Sequence, residues 1–147
     1  MFESRDLRVE TKDLPEQPVV SVRKTIPIGE VGRLFGEVAR RLRGRPEGAP
    51  FAMYHNPDFD PSAVDVEVAF PVQKGGDRVL PAAKVASVMY IGDYGGVGKA
   101  YEALFAWMEE QGLKTAGPSR EIYLVGPQSS KEPAEYVTEI QIPITPA

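Results

Sequence analysis

Apolar and polar positions along the chain follow one plan twice. Residues 19–24 open with Val19, Val20 and Val22, a β-branched run that predicts a strand. After a glycine-containing turn, Val31, Leu34, Phe35, Val38 and Leu42 recur at helical spacing. Residues 51–55 predict a short strand, closed by the turn signal Asn56-Pro57. Val64, Val66, Val68 and Phe70 then alternate with Asp65, Glu67 and Ala69, the period of a strand with one apolar and one polar face. The second half repeats this plan. It predicts a strand over 85–90, a helix carrying Val97, Tyr101, Leu104, Phe105 and Met108, and strands over 121–125 and 136–142. Gly44 and Gly112 follow the two helical stripes and predict their ends. Residues 7–11 and 78–80 are candidates for additional short strands.

The likeness of the halves extends to individual residues. Residues 19–42 align without gaps on 85–108, pairing Val19 with Val85, Ser21 with Ser87, Gly29 with Gly95 and Val31 with Val97. With changed spacing, Tyr54 pairs with Tyr123, and 64–72 pairs with 136–144, matching Glu67 with Glu139 and Pro71 with Pro143. The expected architecture is one α+β domain over 1–147, with internal repeats at about 7–73 and 77–146. Duplicated β-α-β-β units should form an antiparallel sheet with two helices on one face and a central ligand groove. The apolar strand faces are expected to meet the helices. The other face, bearing Glu67, Glu139 and Glu121, is expected to stay polar and open. Junctions between related units are favoured ligand sites.

Composition narrows the chemistry. The chain has 147 residues, 42% hydrophobic and 26% charged, an ordinary globular mix. Its net charge is −4 and neither half is strongly basic, so a nucleic-acid footprint is missing. The basic run Arg40, Arg41, Arg43 and Arg45 sits where a helix should end, where cations complement the helix dipole. No stretch approaches the ~18–20 apolar residues of a membrane span, and the first residues lack a signal-peptide centre, so a cytoplasmic location is expected. There is no cysteine and one histidine, His55. That excludes thiolate nucleophiles, disulfides, sulfur-based zinc sites and histidine clusters. Carboxylates, tyrosines, lysines and water remain, and neither a cofactor nor a metal is expected.

Glu121 leads the candidates, because its repeat partner is Ala52 and duplication alone does not demand a carboxylate there. If Ile122 faces the helices, strand alternation sends Glu121 and Tyr123 to the groove. A carboxylate among aromatic rings suits an organic cation, and burial raising its pKa would suit a general base. The ordinary alternative is a solvated strand-end glutamate paired with Arg120. Tyr54, Tyr90, Tyr94 and Tyr123 are candidate pocket walls, each also explicable as packing. Glu67 is a secondary ligand candidate, although its match with Glu139 favours a structural role. Trp107, opposite Arg41 in the repeat, reads as half-buried packing, and His55 as a turn residue. The run Gly92 to Gly98 lacks dinucleotide-fingerprint spacing and reads as turn geometry.

Several segments resemble the GyrI-like family, the effector-binding domain also attached to AraC-type and MerR-type regulators. They are Leu14-Pro15 with Pro18-Val19, Tyr54-His55-Asn56-Pro57-Asp58, Asp65 to Val68 with Phe70-Pro71-Val72, Gly92-Asp93-Tyr94, Gly117-Pro118-Ser119-Arg120-Glu121-Ile122-Tyr123, and Thr138-Glu139-Ile140 with Pro143. The Gly-Pro-x-Arg-Glu-Ile-Tyr segment is the most specific of them. The resemblance implies a small-molecule module for lipophilic, cationic or aromatic drug-like compounds, with Glu121 at the position of the family's buried cation partner. Gly92-Asp93-Tyr94 departs from the family's more usual Gly-Pro-Tyr. The implied role is sensing or sequestering a small organic molecule in transcription regulation, with a regulator protein as a candidate partner and no direct nucleic-acid or membrane contact. The alternative is a hydrolase of strained, cyclopropane-bearing electrophiles in which Glu121 activates water. A weaker reading is a protein–protein module of the kind proposed to inhibit DNA gyrase.

Overall fold

The computed structural model describes residues 7–56, 58–129 and 132–147, so Pro57 of the expected Asn56-Pro57 turn lies outside the described residues. In chain order the elements are β1 (Glu10–Leu14), β2 (Gln17–Ile26), α1 (Val31–Ala39), β3 (Phe51–Tyr54), β4 (Val64–Pro71), β5 (Arg78–Leu80), β6 (Ala83–Ile91), α2 (Val97–Glu110), β7 (Leu113–Thr115), β8 (Ser119–Val125) and β9 (Val137–Pro146). The units β2-α1-β3-β4 and β6-α2-β8-β9 carry the same connectivity. Together they form one antiparallel sheet of order β1-β6-β9-β8-β3-β4-β2-β5, with β7 added to the end of β9. The central pair, β3 with β8, takes one strand from each unit. Among the described residues no helix is long and apolar enough to cross a membrane.

The leading strands are exchanged. β1 precedes the first unit but pairs with β6 of the second, and β5 precedes the second unit but pairs with β2 of the first. Only Pro15 and Glu16 join β1 to β2, which stand near opposite ends of the strand order. Such a link spans at most about 11 Å. The sheet must therefore curl until its two ends approach one another.

Strand alternation assigns the faces. Val20, Ala52, Val64, Val66 and Val68 pack under α1 with Val31, Leu34 and Val38. Ala86, Val88, Tyr90, Ile140 and Ile142 pack under α2 with Ala100, Leu104 and Met108. Both helices thus cover the same face, because Ala52 and Ile140 flank Glu121 as direct cross-strand partners. Full burial of a Leu or Val in these clusters is worth about 1.5–3 kcal/mol. The opposite face is not open as expected. It is the inside of the curl and holds its own apolar cluster of Val19, Phe51, Met53, Ala69 and Leu80.

Buried carboxylates inside the curl fasten the exchanged strands. Glu67 accepts a hydrogen bond from Ser21 Oγ at 2.9 Å and forms an ion pair with Arg78 Nε of β5 at 2.9 Å. Its repeat partner Glu139 accepts from Ser87 Oγ at 2.7 Å and from Lys12 Nζ of β1 at 2.7 Å. Each unit therefore holds the other's leading strand through equivalent serine, glutamate and cationic side chains.

The boundaries differ from expectation in places. β1 begins at Glu10 rather than residue 7, although Leu7 is buried against the α2 cluster. α1 ends at Ala39, well before Gly44, because Arg41 N and Leu42 N bond the carbonyls of Val38 and Ala39 in a tightened last turn. Gly112, with φ +67°, does follow the end of α2. β7 has no counterpart in the sequence reading. The glycines before α2 make room for Tyr90. Gly92 has φ +146°, and a Cβ at either Gly92 or Gly96 would run into the Tyr90 hydroxyl.

Candidate functional site

The register of β8 fixes the centre of the site. Glu121 lies opposite Ala52 on one side and Ile140 on the other, both on the helix-covered face. Ser119 and Tyr123, two residues either way, share that face, while Arg120 and Ile122 point into the curl. This reverses the expected orientation of Ile122, which packs inside with Phe51, Met53 and Leu80. The apolar-face rule could not choose, because both faces of this sheet are packed.

Two strands and a helix bring phenols to the carboxylate. Tyr101 of α2 donates from Oη to Glu121 Oε2 at 2.6 Å, and Tyr123 donates to Oε1 at 3.2 Å. Tyr54 Oη lies 3.4 Å from Tyr123 Oη, and Ser119 Oγ lies 3.3 Å from Tyr101 Oη. Around this chain stand rings. Phe35 of α1 meets Tyr123 edge-on at 5.4 Å, Tyr94 meets Tyr123 edge-on at 5.8 Å, and Tyr136 lies 5.3 Å from Tyr94. Phe35 and Tyr101 are repeat equivalents, so the two helices address the site from their matching positions.

Electrostatics follow from this burial. Loss of water pushes the Glu121 carboxyl above its ordinary value, opposed by the Tyr101 and Tyr123 hydrogen bonds. Burial, then the Glu121 charge, pushes Tyr54 up to about 12. The same causes, in the same order, raise Tyr101 and Tyr123. The phenols are therefore neutral donors near neutral pH. Among the described residues no cationic side chain pairs with Glu121. Arg120, its sequence neighbour, lies inside the curl with its Nε buried and without a hydrogen-bond partner. A cleft of about 390 Å³ is walled by Tyr54, Tyr101, Phe105 and Ser119, so it reaches the phenols around Glu121 and not the carboxylate itself. Among the described residues no group of three or more His, Asp or Glu is placed to hold a metal ion.

The structure thus brings Glu121, Tyr123, Tyr54 and Tyr94 together. It does not bring Tyr90 or Glu67 to them. Tyr90 is buried under α2, where its hydroxyl donates to Asp93 O at 2.7 Å. Glu67 lies inside the curl, with one oxygen held by Ser21 and Arg78 and the other 3.0 Å from His55 Nε2. Sequence reasoning missed Tyr101, Phe35, Tyr136 and Ser119. Alternation from Glu121 pointed to Ser119. The repeat pointed to Phe35 and Tyr101 as a pair, but both were assigned to the helical core stripes.

The profile of the GyrI-like small molecule binding domain matches residues 8–145. No curated protein matches the chain. Among solved structures, the EcmrR C-terminal domain is similar, with a TM-score of 0.86 and 26% identity over 96% of this chain and 99% of that one. In the EcmrR–DNA complex, the chain spans 58% of the EcmrR polypeptide. A hydrolase from Listeria innocua matches with a TM-score of 0.66 and 17% identity over 94% of this chain and 92% of that one. SAV2435 bound to tetraphenylphosphonium matches with a TM-score of 0.66 and 17% identity, over 94% of each chain.

Proposed function

Because the chain belongs to the GyrI-like small-molecule-binding family, we propose that it binds a lipophilic organic cation in the groove between its two units, against Glu121. The observation that carries this reading is the carboxylate itself. It is removed from water, surrounded by aromatic rings, and given phenol hydrogen bonds but no cationic side chain among the described residues. A buried charge without a counter-charge is costly. A cationic ligand supplies that counter-charge, and the faces of Tyr94, Tyr123 and Tyr54 supply cation–π attraction. Soft ring surfaces with few fixed donors suit a range of drug-like cations. Glu67 and Tyr90, both away from this constellation, would act on the ligand only indirectly.

The biological reading is a sensing or sequestering module in transcription regulation, inside the cytoplasm. Similarity to the C-terminal domain of EcmrR, over nearly all of that domain, supports it. A regulator protein is then the natural macromolecular partner, and nucleic-acid contact is no part of the role of this domain.

A second reading is hydrolysis of a strained electrophile. A raised carboxyl pKa beside phenol donors suits water activation, with a tyrosine hydrogen-bonding the leaving oxygen. The two readings separate in one experiment. Calorimetric titration with tetraphenylphosphonium, followed by chromatography of a cyclopropane-bearing electrophile incubated with the protein, should show saturable one-to-one binding and no turnover. Turnover abolished by Glu121→Ala would instead establish the hydrolase.

A further inference from the structure

His55 does not sit exposed at its turn. Its side chain is 13% exposed, and its Nε2 lies 3.0 Å from Oε1 of the buried Glu67. The other Glu67 oxygen is taken by Ser21 and Arg78. A carboxylate facing Nε2 accepts a hydrogen bond from it, so the neutral ring carries its hydrogen there and leaves Nδ1 as an acceptor. Nδ1 has no hydrogen-bond partner among the described residues. The same histidine forms part of the wall of the 390 Å³ cleft that also contains Tyr54, Tyr101 and Ser119.

The fold itself does not require this histidine. Glu139, the repeat partner of Glu67, is satisfied by Lys12, Ser87 and Gln141 with no histidine at all. Extending the pairing of Tyr54 with Tyr123 sets His55 against Leu124. His55 is thus a second break in the duplication, beside the break at Glu121. Its neighbour Asn56 is not available to a ligand, since Nδ2 donates to Ala63 O and Oδ1 accepts from Asp65 N.

We infer that His55 is a second polar contact for the bound molecule, accepting through Nδ1 a hydrogen bond from an O–H or N–H group on an arm of the ligand. This rests on the cation-binding reading above and narrows the ligand class. Glu121 and the rings hold the cationic, aromatic body, and the cleft beyond Tyr54 and Tyr101 takes an arm bearing a hydrogen-bond donor. Glu67 is a positioning residue that fixes the tautomer of His55.

The test compares two cations that differ by one hydroxyl, ethyl-triphenylphosphonium and hydroxyethyl-triphenylphosphonium, by calorimetry. The native protein should favour the hydroxylated cation by roughly five- to tenfold. His55→Gln keeps a donor toward Glu67 but removes the ring acceptor, and it should abolish that preference while leaving the ethyl compound within about twofold of native. His55→Asn, which keeps a polar atom near the Nδ1 position, should retain part of the preference and covers the case in which His55→Gln fails to fold. Equal affinities in the native protein, or a preference that survives in His55→Gln, overturns the role of His55 and leaves the cation site standing. Failure of both cations to bind the native protein overturns both readings.

Discussion

Glu121 and Ala52 are direct cross-strand partners at the seam between the two units, and the internal repeat makes these same residues equivalent. A carboxylate on one strand therefore stands beside a methyl group on its counterpart. In the proposed function, this difference within the duplication supplies the chemistry. Ala52 is 0% exposed, so nothing larger fits without displacing a neighbour. Ala52→Leu should cost about 1–3 kcal/mol by overpacking. It should also weaken binding of tetraphenylphosphonium by at least about tenfold, measured by urea unfolding and calorimetry on the same sample. Unchanged affinity would show that the ligand lies elsewhere.

Removing the charge should stabilise the ligand-free protein. The folded-state pKa of Glu121 is raised, so its contribution to stability is present at low pH and is lost as pH rises through that value. At neutral pH the ionised carboxylate is therefore a cost. Glu121→Gln should increase unfolding free energy by on the order of 1 kcal/mol. Equilibrium denaturation checks this, and a clear loss of stability would mean that the phenol bonds outweigh desolvation.

Cation affinity should depend on pH in the same sense. It should be flat while Glu121 is ionised and fall as acid protonates it, at a pH above the ordinary glutamate value of 4.5. Tyr101→Phe deletes the 2.6 Å bond that favours the ionised form. The midpoint of this variant should move upward. Affinity profiles of both proteins decide the matter, and coincident profiles would remove Tyr101 from the site.

Two glycines near the start of α2 should respond oppositely to alanine. A Cβ at Gly96 meets the Tyr90 hydroxyl and ring, whereas a Cβ at Gly98 meets nothing within 4 Å. Gly96→Ala should destabilise by about 1–3 kcal/mol. Gly98→Ala, inside the helix, should stabilise by about 0.5–1 kcal/mol. Thermal melts of the two variants give the comparison directly.

The fold was largely legible because the duplication leaves separate marks on strands, helix stripes and turns. The period-two run from Val64 to Phe70 placed β4, and the spacing of Val31, Leu34 and Val38 placed α1. The exchange of β1 and β5 was not legible, since a three-residue strand such as Arg78–Leu80 carries no record of its partner. The site was half legible. Glu121 emerged because it breaks the repeat. Its face came out reversed because Ile122 is as welcome inside the curl as under a helix. Tyr101 was hidden by its place in an apolar stripe, where a ring packs the core while its hydroxyl reaches a carboxylate. His55 gave no local signal, since Glu67, the residue that turns it, is brought to it by strand pairing.

The central claim is that the charge of Glu121 holds a cationic ligand, and one titration tests it most directly. Tetraphenylphosphonium is added to the native protein and to Glu121→Gln at neutral pH, with folding of both verified by circular dichroism. The native protein should bind one equivalent, and the neutral isostere should bind at least about tenfold more weakly, the scale of one desolvated cation–carboxylate contact. Equal affinity in the two proteins would contradict the account.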